Sequence, residues 1–182
     1  MHFAPDTEET LDFAVALANT RPEASRSGDD ELTTVDELDA LLDRWTFTGR
    51  RDHDAREVHE VRAIRAELPR LWKLPTDEAV PLLNTMLADG NARPWLFRHD
   101  GSDWHIHASE LDAPLAERIA VDIALALVDV IRAGAQSRLR VCDADDCDGL
   151  FIDLSRNGSK RFCSVRCGNR MNMIAFRSRQ AE

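Results

Sequence analysis

The chain has 182 residues, 43% of them apolar and 31% charged, with a formal net charge of −10 and a pI near 5.1. Its richest apolar run, residues 119 to 131, is broken by Asp122 and Asp129 and falls short of the roughly 18 to 20 residues that cross a bilayer, which excludes a membrane-spanning helix. Residues 1 to 137 carry 14 basic and 27 acidic side chains, whereas residues 138 to 182 carry 9 and 6 together with all four cysteines, so the acidic whole does not exclude nucleic acid as a partner of the tail.

Residues 1 to 10 are acidic and lack the basic start and apolar stretch of a secretion signal, so the expected compartment is the cytoplasm. Leu11, Ala14, Val15 and Ala18 recur at helical spacing and predict a first helix over residues 8 to 18, ended by Asn19 and Thr20. Thr34 followed by Glu37 matches a capping box, and Val35, Leu38, Leu41, Leu42 and Trp45 give the second helix one apolar stripe. Val58, Val61, Ile64, Leu68 and Leu71 mark a third, which Pro69 should bend or end. A fourth is expected to begin near Val80, because Pro81 suits a first turn.

The apolar period then changes. Residues 93 to 99 and 104 to 108 flank Asp100-Gly101 and predict a β-hairpin. A long helix follows over residues 114 to 132, apolar on most faces and therefore a core element, with Gly134 as its stop. Residues 135 to 139 read as a linker.

His105 and His107 leave one face of the predicted strand with Glu110 close by, a pair that could bind a metal or serve a metalloenzyme. No third ligand stands at firm spacing, which favours core-edge histidines. His53 and His59 point in different directions and carry no assigned role. Without a nucleophile elbow or a glycine-rich phosphate loop, a catalytic reading has nothing to stand on, and the chain reads as a non-enzyme.

The tail runs Cys142-x4-Cys147-x15-Cys163-x3-Cys167, two close thiol pairs that can converge on one zinc ion. Four thiolates fill a tetrahedral shell and leave no open position, so the site should be structural. A piece of about 45 residues with few large apolar groups also needs such a staple to fold. Between the pairs, residues 150 to 154 alternate and Asn157-Gly158 forms a turn before residues 160 to 163, predicting a hairpin between the two knuckles. Ser164 is a fitting N-cap for a helix over residues 165 to 178. Knuckle, hairpin and ligand-bearing helix make a treble-clef-like module, and the chain as a whole reads as mainly α: an acidic helical domain with one hairpin, residues 1 to 137, and the zinc module, residues 138 to 182.

Arg166, Arg170 and Arg177 share one face of the last helix, and Arg156, Lys160, Arg161 and Arg179 add positive charge. Asn169 offers a base- or phosphate-directed hydrogen-bonding group. This pattern suits a helix presented to DNA, or to RNA, since nothing in it dictates the groove. Gly168, costly inside a helix, implies a close backbone approach or a packing contact.

Cys167-Gly168-Asn169-Arg170, together with the run from Leu150 to Gly158 and Arg161-Phe162-Cys163-Ser164, resembles the CGNR zinc-finger family over about residues 140 to 179. The resemblance implies a bacterial, DNA-binding, stress-related transcription regulator whose finger follows a helical ABATE domain. Leu17-Ala18-Asn19-Thr20 is similar to an Asn-Thr ending common in that domain, without the glycine expected upstream. Met171 stands where many relatives carry a basic residue, and the second cysteine pair is spaced by three rather than four. The expected protein is a nucleoid-associated regulator whose acidic domain dimerises or senses a small-molecule effector. The alternative is a zinc finger that docks a protein partner, with the acidic body itself able to occupy the basic stripe.

Overall fold

A computed structural model describes residues 3–45, 47–98 and 104–180. Among them, helix α1 (Pro5–Ala18) begins three residues earlier than predicted, with Pro5 in its first turn and Asn19 as its C-cap. Helix α2 (Val35–Leu42) has the predicted capping box: the Glu37 amide donates to Thr34 Oγ1 at 3.2 Å and the Thr34 amide donates to Glu37 Oε2 at 3.0 Å. It ends before Trp45, which nevertheless packs edge-on against Phe13 with ring centroids 5.4 Å apart.

Neither of two prolines sets a helix end. Helix α3 (Ala55–Lys73) runs through Pro69, and helix α4 (Thr76–Asp89) starts five residues before Pro81, which therefore lies in the second turn. Each proline removes one ladder donor, but buried side chains on the same helices hold the turns in place: Leu68, Leu71 and Trp72 around Pro69, Ala79 and Leu83 around Pro81.

Strands β1 (Trp95–Phe97) and β2 (His105–His107) pair antiparallel, Leu96 opposite Ile106. The predicted turn at Asp100-Gly101 lies outside the described residues. Helix α5 (Leu115–Arg132) packs against α1, α3 and α4, and Ile119, Ile123, Ala124, Leu127 and Val130 supply the middle of the core. Its end is a Schellman motif: Gly134, at φ +62°, donates to Ile131 O at 2.9 Å, and the Ala135 amide donates to Val130 O at 2.9 Å.

The predicted linker is structured. A short 3-10 turn (Gln136–Arg138) leads into strand β3 (Leu139–Val141), which pairs antiparallel with β4 (Leu150–Ile152). The hairpin of the zinc module thus encloses the first cysteine pair. The partner expected for β4, residues 160 to 163, is instead a loop that meets the knuckle through the Asp143 amide, which donates to Arg161 O at 2.9 Å. The reason is Asp153, fully buried, whose carboxylate accepts from the Ser155 amide at 3.0 Å and the Lys160 amide at 2.9 Å and so curls the chain back just after β4. Helix α6 (Val165–Gln180) closes the chain two residues beyond its expected end.

Candidate metal centre and basic helix

The β3–β4 hairpin holds Cys142 and Cys147 in its loop, and Cys163 and Cys167 come from the approach to α6 and from its first turn. All four Sγ atoms lie within 4.8 Å of one another, with Cys147 and Cys163 3.7 Å apart, as are Cys163 and Cys167. Sulfurs placed tetrahedrally at about 2.3 Å from a zinc ion are about 3.8 Å apart, so spacing and donor chemistry both fit zinc. The local backbone is shaped for sulfur. The Gly149 amide points at Cys147 Sγ at 3.4 Å and the Cys163 amide at Cys142 Sγ at 3.5 Å.

Gly149 could carry no side chain, because a Cβ there would stand 2.9 Å from Cys163 Sγ and 3.1 Å from Cys147 Sγ. The sequence shows only a Cys-Asp-Gly step, and the sequence reading passed over it. Gly168, which it did single out, lies under the Phe162 ring, 3.4 Å from where its Cβ would stand. Its contact is therefore packing within the module.

Burial pushes the Cys147 thiol up to about 11 and the Cys163 thiol further. Burial also opposes ionisation at Cys167, but hydrogen bonds from Ser164 and the neighbouring thiols outweigh it and lower its pKa. Cys147 and Cys163, the two thiols that burial holds protonated, would give up their protons to a cation bound among the four sulfurs, which is the chemistry a structural zinc ion supplies.

The basic residues divide into two groups. Arg170 Nη2 bridges Asp146 Oδ1 at 2.5 Å and Cys167 Sγ at 3.6 Å, Arg161 pairs with Asp143 at 2.9 Å, and Arg166 donates to the carbonyl of Arg26 at 2.8 Å. Lys160 Nζ lies 5.1 Å from the Phe151 ring centroid. Arg156, Asn169, Arg177 and Arg179 are exposed. The acids that engage Arg161 and Arg170 come from the knuckle itself.

Sequence reasoning also missed the apolar residues on α6. Val165 is 80% exposed and Met173, Ile174 and Phe176 about half exposed, while Cys167 is the only buried residue of that helix.

His105 and His107 meet through their Nε2 atoms at 3.0 Å. Among the described residues the four cysteines are the one cluster arranged to hold a metal.

A family model described as "Putative stress-induced transcription regulator", named ABATE, matches residues 11–134. The chain belongs to the ABATE family. The CGNR zinc-finger model matches residues 138–180, which contain the whole four-cysteine site. No curated protein matches the chain. This ABATE–CGNR pairing accounts for Asn19 of the Asn-Thr ending. Its side chain pairs with β4 like a strand, Nδ2 donating to Leu150 O at 2.9 Å and Oδ1 accepting from the Leu150 amide at 2.8 Å. Thr20 Oγ1 accepts from Arg65 at 3.0 Å and donates to Leu17 O at 2.8 Å. Among the described residues no helix is long and apolar enough to cross a membrane.

Proposed function

We propose that this protein is a DNA-binding transcription regulator that holds one structural zinc ion per chain and presents α6 to the DNA backbone, while the acidic body responds to an effector. The observation that carries the reading is α6 itself. It has no acidic residue from Val165 to Gln180, is exposed from residue 172 to residue 180, and carries Arg177 and Arg179 in its last turn. Phosphate neutralisation needs cations that are free to leave water for DNA, so Arg156, Arg177 and Arg179 are the principal contacts. Arg161, Arg166 and Arg170 hold the platform, and Asn169, itself exposed on the same helix, is available for a base edge.

The test is a titration of the zinc-loaded full chain with genomic DNA fragments over a range of salt. The double variant R177A/R179A should weaken binding at every sequence and reduce the salt slope by about one per lost phosphate contact, with zinc content unchanged. Arg170 stays intact in this test because it touches a zinc ligand. Unchanged affinity and slope in the double variant would overturn the reading.

Exposed Met173, Ile174 and Phe176 favour a second reading, in which α6 docks a protein partner or a second copy of the chain. A folded, zinc-bearing protein without DNA affinity would support it.

A further inference from the structure

A cavity of about 490 Å³ lies in the acidic body between the start of α1, strand β2 and α5, within the range of small-molecule sites. Phe13, Trp45, Phe47 and Trp104 are among its walls, and Phe13 packs edge-on against Phe47 with centroids 4.6 Å apart. Four carboxylates also line it: Asp6, Glu9, Asp122 and Asp129.

Two of these are already satisfied. Asp6 accepts from the Ile106 amide at 3.1 Å and the Thr7 amide at 3.0 Å, and Asp129 accepts from the Thr7 hydroxyl at 2.8 Å. Arg132 stands 3.6 Å from the other oxygen of Asp129. Asp122 makes no hydrogen bond or ion pair among the described residues. Its nearest charge, Arg118 one turn earlier on α5, gives its guanidinium to the backbone carbonyls of Thr48, Arg50 and Ala113. Two carboxylates of the wall therefore lack a protein donor, the exposed Glu9 and the less exposed Asp122, which shares the cavity with the four aromatic side chains.

We propose that this cavity binds an organic cation, its ammonium group on Asp122 and its apolar body against Phe13, Trp45, Phe47 and Trp104. The group chemistry selects the class. An ammonium supplies the donors that Asp122 lacks, and aromatic faces accept both its alkyl or aryl body and part of its charge. An anionic ligand would meet four carboxylates, while the two arginines of the lining are already engaged, Arg118 by backbone carbonyls and Arg132 by Asp129. A neutral ligand would leave the charge of Asp122 uncompensated at neutral pH and above, since its carboxyl, although pushed up by burial to about 6, is ionised there.

This inference deepens the effector half of the proposed function, and its test uses no DNA, so failure of α6 to bind DNA and failure of the cavity to bind a cation are read separately. The zinc-loaded full chain is titrated calorimetrically at pH 8 with tryptamine and 2-phenylethylamine, and with the isosteric alcohols tryptophol and 2-phenylethanol. The amines should bind at least about tenfold more tightly than their alcohols. In D122N, with its fold checked by circular dichroism, that preference should disappear. Absence of amine binding, equal binding of amine and alcohol by the wild type, or a preference that survives in D122N would overturn the proposal. The wild-type comparison alone decides the matter if the variant does not fold.

Discussion

Among the carboxylates of the described residues, Asp122 is the one at which ionisation and burial conflict most. In the folded chain burial raises its carboxyl from 3.8 to about 6, only partly offset by the charge of Arg118. Between these two values the folded chain keeps a proton that the unfolded chain releases. The contribution of this group to stability is therefore complete below about pH 4, falls as pH rises through 6, and is lost above it. D122N removes the penalty, so it should stabilise the protein by about 3 kcal/mol at pH 8 and by only about 0.5 kcal/mol at pH 4. Urea unfolding at the two pH values reads the difference, and equal gains at both would show that Asp122 is not held protonated by the fold. The sequence marks Asp122 only as an interruption of an apolar helix. Its exposure to a cavity depends on α1 and β2, far away in the chain, and no local pattern records that. The cysteines are the opposite case, since their chemistry and spacing identify the metal without the fold, whereas Gly149 and Arg170 acquire their roles only when the knuckle has closed.

At the scale of elements, α6 differs from the other helices. Helices α1 to α5 bury apolar stripes that recur at helical spacing, so their existence was legible, and where α4 starts ahead of the place expected from Pro81, tertiary burial had overridden a local preference. The β4 partner was misassigned because pairing depended on the buried Asp153 turn rather than on alternation. Helix α6 buries Cys167 alone, and 16 residues are marginal as an isolated helix in water. Its order should therefore depend on metal. Stripping the zinc with a chelator should melt α6 and lower the helical signal in circular dichroism by the share of about one helix in six, with fast amide exchange across residues 165 to 180. Strands β3 and β4 should stay protected, because Leu150 and Phe151 are buried independently of the metal. Retention of full α6 protection in the stripped protein would mean that the helix is held by something other than its thiolate.

For the molecule as a whole, the two family matches meet at an interface that neither composition nor charge announces. Leu150 of the zinc module sits in the core cluster of the helical body, Trp72 of α3 donates to Phe151 O at 3.2 Å, and the Glu23 carbonyl accepts from the Asp148 amide at 2.9 Å. Asn19 adds its two bonds to the backbone of Leu150, satisfying both polar groups of a buried strand residue. Such a joint should couple metal retention to the stability of the body. Asn19→Ala leaves the amide and carbonyl of Leu150 without these partners, which should cost about 2 kcal/mol of unfolding free energy. In urea, followed by tryptophan fluorescence for the body and by a chromophoric chelator for zinc release, both midpoints should move to lower denaturant together. If the fluorescence midpoint moved while zinc release stayed where it was, the module would be holding its metal without help from the body, and a ligand in the body would have no route through this joint to α6. Movement of both supplies that route, because whatever stabilises the body then also steadies the platform on which the basic helix stands.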